Sequence, residues 1–175
     1  ATGQVVGNKR GLITPSSSIF DVSDTEHWLF DYMDILTDPE FIDFAETAVL
    51  AARRNALEAG VEISVLKEDL FDLPDELHGQ FDYLLEYICF CAVSPSRRFE
   101  YDRVAWQLLR SGGMLLGLFF PLEKPLAEGG PPWGVTISEL HQLFSLHWHL
   151  DREETPVDSI DPRRGREVLQ YWRKP

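Results

Sequence analysis

Three acidic side chains are spaced so that a parallel sheet would gather them: Asp43, Asp69 and Glu86. Each stands at or just after a run that reads as a strand, namely Phe41-Ile42-Asp43, the alternating stretch Val61 to Leu66, and the apolar run from Phe81. In an open α/β sheet the carboxyl ends of parallel strands line one edge, and the crevice over that edge holds a nucleotide. An acid after the second strand of such a sheet can take both ribose hydroxyls. An acid after the third can accept from an adenine amino group. Singly, each acid reads as a solvated strand end, and only the three together bring a ligand role level with that reading. The order of the three is what points to a nucleotide-type ligand.

Other reactive side chains fit their patterns less well. His147 and His149 would share a strand face beside Trp148, with His141 nearby, but no acid or cysteine is placed to complete a metal site. They read as structural or surface histidines. Cys89 and Cys91 lie two apart in an apolar, strand-like run, poorly placed for a disulfide, and read as buried thiols in a reducing compartment. Ser94, Ser96 and Ser111 lack the G-x-S-x-G setting of a nucleophile elbow. The acidic stretch EDLFDLPDEL lacks the spacing and glycine of a calcium loop and reads as a solvated face.

The elements that must position these groups centre on Phe81 to Pro121. This stretch reads as an apolar strand, a loop, an amphipathic helix, a Ser-Gly-Gly turn and a second apolar strand. Strands apolar on both faces belong inside a covered, parallel sheet. Upstream, GLITP suggests a brief strand ending at Pro15, and Asp21 to Glu40 shows weak helical spacing that Pro39 should end. Thr47 to Ala59 has helix start and stop signals, with Glu46 at its head and Gly60 past its end. After Pro121 comes a loop containing GGPPWG, then a helix from Thr136 to Phe144 capped by Thr136 or Ser138. Leu146 to Asp151 and Val168 to Trp172 read as strands, with Asp158 to Arg166 as a polar connector. The alternation predicts a single three-layer α/β domain over residues 1–175, with an antiparallel strand pair at its C-terminal end and residues 1–40 unassigned.

Composition narrows the partners. The 175 residues are 44% hydrophobic, with eleven Phe, five Trp and five Tyr, enough for a real core. A net charge of −13 opposes a nucleic-acid partner, because phosphate binding needs clustered Lys and Arg, and the pairs Arg53-Arg54, Arg97-Arg98 and Arg163-Arg164 make no long patch. The first residues lack the apolar segment of a signal peptide, and the longest apolar run, Met114 to Pro121, is too short to span a bilayer. A soluble cytosolic protein is the expectation, with no membrane partner.

Five stretches, IDFAETAVLAARRNA, EDLF, FDYLLEYICFCAVSPSRR, LLRSGGMLLGLFFPL and GGPPWGVTISELHQLF, are similar to the thiopurine, thiol and halide methyltransferase family. The resemblance runs from Phe41 to the C-terminus, and the GGPPW loop is its most specific motif. It implies a Rossmann-like fold and S-adenosylmethionine as cofactor, leaving S-adenosylhomocysteine. The implied reaction is methyl transfer to a small soft nucleophile, a thiol or halide. Carried over by position, Asp43 matches the ribose acid, with Phe44 beside the adenine. Asp69, Leu70 and Phe71 match the adenine-side acid and its neighbours. Glu86 falls near the methionine part of the cofactor. Tyr87 and Arg98 fall on the acceptor side as the catalytic pair, with Pro132 and Trp133 in the loop that closes over the substrate. Arg98 has a plainer alternative, a surface ion pair with Glu100 or Asp102. The family pattern also has a GxGxG turn after the first strand. The nearest counterpart here, Pro15-Ser16-Ser17-Ser18-Ile19-Phe20-Asp21, contains no glycine. That departure supports a second reading, a non-catalytic binding or partner protein on the same fold.

Overall fold

The structure is a computed structural model that describes residues 10–15, 38–43, 45–60, 62–87, 89–157 and 159–175. Seven strands form one sheet: β1 (Arg10–Pro15), β2 (Asp38–Asp43), β3 (Ser64–Lys67), β4 (Phe81–Tyr87), β5 (Leu109–Phe119), β6 (His149–Glu154) and β7 (Val168–Arg173). Their spatial order is β3-β2-β1-β4-β5-β7-β6. The first five pair in parallel, and β7 runs antiparallel to both β5 and β6. Three α-helices accompany them among the described residues: α1 (Glu46–Ala59), α2 (Arg98–Leu108) and α3 (Ile137–Phe144). This is the expected Rossmann-like sheet with its antiparallel C-terminal pair.

The central strands are apolar on both faces because both faces are buried. Registered rows cross the sheet. Leu12, Leu84, Leu115 and Trp172 are successive partners on one face, each no more than 1% exposed. One residue further along, Phe41, Ile13, Leu85, Leu116 and Tyr171 form the corresponding row on the other face. A third row, Thr14, Glu86, Gly117 and Gln170, is polar yet buried, and it sits near the carboxyl ends of the parallel strands. Gly117 is required in that row. The Phe119 ring folds back over it, and a Cβ at 117 would stand 2.4 Å from that ring.

The crossover directions place the helices. From β1 the chain steps one way to β2 and β3, and from β4 it steps the other way to β5. Right-handed crossovers in opposite directions put α1 and α2 on opposite faces. The reversal lies between β1 and β4, which is the topological switch point of the sheet. Helix α2 buries Tyr101, Val104, Ala105 and Leu108, spaced three, four and seven residues from the first, on the Leu84 face. Helix α3 packs beside it through Leu140, Leu143 and Phe144, and starts with a reciprocal cap between Thr136 and Glu139.

Several boundaries differ from the sequence reading. The Ser-Gly-Gly segment is not a turn between elements. It lies inside β5, where the pairing with β4 shifts register between Phe81 and Tyr83, and Gly112 takes φ +77°. Cys89 and Cys91 are not in a strand, because β4 ends at Tyr87 and a short 3-10 turn covers Phe90–Ala92. Both are free cysteines, Cys91 being buried. Strand β6 begins at His149, since the backbone N–H of Trp148 still closes the end of α3 on the Phe144 carbonyl. The expected segment Asp21 to Glu40 lies largely outside the described residues, as does the polar stretch after Pro15. No helix among the described residues is long and apolar enough to cross a membrane.

Candidate ligand site at the carboxyl edge of the sheet

Glu86 occupies the second-to-last position of β4, facing α2, and is fully buried. Its two oxygens are both engaged. Oε1 accepts from the Phe90 backbone N–H at 2.9 Å, and Oε2 accepts from the Tyr101 hydroxyl at 3.0 Å. Burial penalises the charged carboxylate more than these donors favour it, so the acid is pushed up to about 8. Burial raises the Tyr101 phenol as well, and the neighbouring acid adds to that. Glu86 therefore holds the turn after β4 from within, and reaches the crevice through that turn's backbone.

Asp43 closes β2 at the same edge. Its Oδ1 accepts from the Ala45 N–H at 2.7 Å, and its carboxyl is raised because partial burial outweighs that bond. Among the described residues nothing bonds its Oδ2. Phe44, expected beside the adenine, lies outside the described residues. Asp69 stands two residues beyond β3 and is exposed. It forms a local turn, with Oδ1 accepting from the Phe71 N–H at 2.9 Å and its carbonyl accepting from the Asp72 N–H at 2.9 Å. Arg97 lays its guanidinium 3.7 Å from the centre of the Phe71 ring and bridges to Glu100 at 2.7 Å. The turn carrying Asp69, Leu70 and Phe71 is thus pinned to the head of α2. Because the strands are parallel, Asp43, this turn and the Glu86 turn share one edge, across the switch point.

Tyr87, the next residue along β4, faces the opposite side. Its hydroxyl oxygen accepts from Arg163 Nη2 at 3.0 Å, and the guanidinium also lies 5.4 Å from its ring centre. Arg163 Nε stands 3.7 Å from a Glu167 carboxylate oxygen, and both side chains are buried. The sequence reading placed Arg163 in the polar connector Asp158 to Arg166 and expected neither it nor Glu167 to be interior. The only local signal was their spacing of four, which is ordinary on any polar surface.

The turn after β4 also anchors the GGPPW loop. The Trp133 N–H donates to the Cys91 carbonyl at 2.7 Å, and Arg98 Nη2 donates to the Gly134 carbonyl at 2.7 Å. Lys124 Nζ donates to the carbonyls of Gly129 at 2.8 Å and Pro132 at 2.7 Å. Gly134 must be glycine here, since a Cβ would fall 1.8 Å from the Lys124 carbonyl oxygen. Cys91, between these anchors, has its thiol pushed up to about 12 by burial, even with Arg163 and Arg98 near enough to pull it down.

Neither surface ion pair considered for Arg98 forms. Arg97 takes Glu100, and Asp102 accepts from Trp148 Nε1 at 2.6 Å and pairs with His147 at 3.2 Å. Arg98 instead lies 8% exposed over the Phe90 ring. Tyr87 and Arg98 thus approach the turn after β4 from opposite sides of the sheet. Pro132 is exposed and Trp133 half-buried in the loop between. The histidines are each paired with an acid: His141 with Glu153 at 2.6 Å, His147 with Asp102, and His149 with Asp151 at 3.7 Å. Among the described residues no group of three or more His, Cys, Asp or Glu could hold a metal ion.

Comparison with known proteins fits this arrangement. The family model for thiopurine S-methyltransferase matches residues 41–173. The chain is 30% identical over 137 residues to thiocyanate methyltransferase 1 of Arabidopsis thaliana, covering 76% of this chain and 58% of that protein. It is 32% identical over 136 residues to a probable thiol methyltransferase 2 of the same plant, with the same coverage. The chain thus spans well under two thirds of the length of these relatives. Among solved structures, it superposes with a TM-score of 0.68 and 15% identity on a Burkholderia thailandensis N1-methyltransferase bound to 1,6-didemethyltoxoflavin and S-adenosylhomocysteine, covering 97% of this chain and 72% of that one.

Proposed function

The chain belongs to the thiopurine S-methyltransferase family, and from that premise we propose that it carries out S-adenosylmethionine-dependent methyl transfer to a small sulfur nucleophile, a thiol or a thiocyanate-like anion. A halide is the finer alternative acceptor. The observation that carries the reading is the shared edge: Asp43, the Asp69–Phe71 turn and the Glu86-held turn lie together across the switch point. The donor set suits the cofactor, with a partly exposed carboxylate whose Oδ2 has no described partner and an aromatic ring pinned nearby.

When bound, S-adenosylmethionine supplies a methyl group on a sulfonium for in-line displacement. This chain's residues bind, orient and exclude water. Asp43 accepts from the ribose hydroxyls. Asp69 accepts from the adenine amino group, with Leu70 and Phe71 as its wall. Glu86 acts as a positioning residue, setting the backbone of the turn beside the methionine part. Tyr87 faces the acceptor, its oxygen accepting a hydrogen bond from Arg163 so that its own hydroxyl hydrogen points elsewhere. Arg98 seats the loop of Pro132 and Trp133 that walls the acceptor pocket. A thiolate needs little general-base help, which suits a site whose most buried carboxyl, Glu86, is spent on structure.

Calorimetric titration with S-adenosylmethionine and S-adenosylhomocysteine tests the reading. Binding is expected, and Asp43→Ala should weaken it by about 1–3 kcal/mol, the scale of a lost charge-assisted hydrogen bond. No binding at millimolar cofactor would sink the proposal. Binding without turnover of bisulfide, thiophenol, thiocyanate or iodide would favour the non-catalytic relative instead.

A further inference from the structure

A cleft of about 220 Å³ lies between α2, α3 and the loop after β5. Its lining includes none of Asp43, Asp69, Glu86 or Tyr87. The walls are apolar, with Phe90, Phe99, Leu126, Leu140 and Leu143 among them, and Phe99 and Leu126 stay 68% and 41% exposed at the rim. At about 30 Å³ per water, the space equals roughly seven waters. That admits one small ring with a charged substituent.

Arg98 makes this cleft unlike a chance groove. It lines the cleft, is more than nine-tenths buried, and meets only a neutral carbonyl, Gly134, and the face of Phe90. Its Nε is buried with no hydrogen-bond partner among the described residues. No described carboxylate comes within ion-pair distance of it. Glu139, which also lines the cleft, acts on it without pairing; its Oε2 is turned to the head of α3, accepting from the Thr136 N–H at 2.7 Å and hydroxyl at 2.9 Å. A guanidinium taken out of water needs a counter-charge, and no described carboxylate supplies one in contact.

We propose that this cleft is a second ligand site, which takes a small organic monoanion such as an aryl carboxylate. The apolar body lies against Phe99 and Leu143, and the charge meets Arg98. Since Arg98 also holds Gly134, next to Trp133, an occupant shares a residue with the GGPPW loop and bears on its seating.

The test is a titration of the full chain with sodium benzoate, followed by carbon-13 methyl resonances of Leu126, Val135, Leu140 and Leu143. Saturable shifts at these methyls are expected, with benzyl alcohol, the uncharged analogue, binding at least about tenfold more weakly because the guanidinium–carboxylate attraction is lost. Gln142→Glu, at the exposed rim, adds a second negative charge and should weaken benzoate about three- to tenfold with the fold unchanged. Arg98→Gln should abolish the shifts. The proposal is overturned by equal affinity for benzyl alcohol, by indifference to Gln142→Glu, or by shifts centred on Leu118 and Leu169 on the other face. It is also overturned if no shift saturates. Benzoate binding is read without cofactor, so it stands or falls apart from S-adenosylmethionine binding.

Discussion

Glu86 and Tyr87 are neighbours on β4, and the two sides of the sheet treat buried charge in opposite ways. On the α2 side, Glu86 is sealed with hydroxyl and amide donors but no described cation in contact, so burial drives its carboxyl up to about 8. On the other side, Arg163 and Glu167 are buried as an opposed pair, with Tyr87 accepting from the guanidinium. One face neutralises by taking up a proton, the other by pairing. The first solution depends on pH. The second depends on both partners being present, because a buried charge is costly when it loses its counter-charge.

The largest effect should come from breaking the pair. Arg163→Met removes the guanidinium beside buried Glu167 and should cost about 3–5 kcal/mol in denaturant unfolding, while the double variant Arg163→Met/Glu167→Leu recovers most of it. A single variant as stable as the parent would show that the pair is not a paired unit at all.

Next is the pH response of the other face. With a folded value near 8 against an ordinary 4.5, the folded protein holds the Glu86 proton that the unfolded chain has released between those values. This stabilisation is complete below about 4.5 and is lost as pH rises through 8. Glu86→Gln keeps an acceptor for Phe90 and removes the titration. Relative to the parent, it should therefore gain up to about 3 kcal/mol between pH 5 and pH 8, read from unfolding midpoints across that range. A parallel pH profile for both proteins would mean that Glu86 is ionised when folded.

The smallest contrast compares two hydroxyl deletions. Tyr101→Phe removes a donor from a buried acid and should cost about 1–2 kcal/mol, with the Glu86 titration moved higher still. Tyr87→Phe leaves the Arg163–Glu167 pair and the ring face in place, so about 1 kcal/mol or less is expected. Equal losses would erase the distinction between the two faces.

How much was legible followed from whether the signal was local. The doubly apolar runs of β4 and β5 marked buried strands because only a covered sheet accommodates them. Thr136 with Glu139 three residues later marked the start of α3, since a cap is a matter of adjacent backbone groups. The acids at Asp43, Asp69 and Glu86 stood out by their positions after apolar runs. What was illegible depended on distant partners. His147 and His149 looked like a face-sharing pair, but α3 ends late enough that β6 begins only at His149, and His147 turns to Asp102. Arg98 looked placed for Glu100 or Asp102, yet its neighbour Arg97 takes the first, and Trp148 and His147 take the second.

The sequence by itself determined the alternation of strands and helices, the edge on which the three acids fall, and the motifs that mark the family, because periodicity, capping and short motifs are written in contiguous residues. Only the tertiary structure decided that Glu86 is spent on the turn after β4, that Arg163 and Glu167 are interior, and that Arg98 is a buried cation on a cleft. Burial and pairing are properties of segments far apart in the chain. The Arg163 that meets Tyr87 lies 76 residues beyond it, and no local pattern specifies such a meeting before the sheet brings the two segments together.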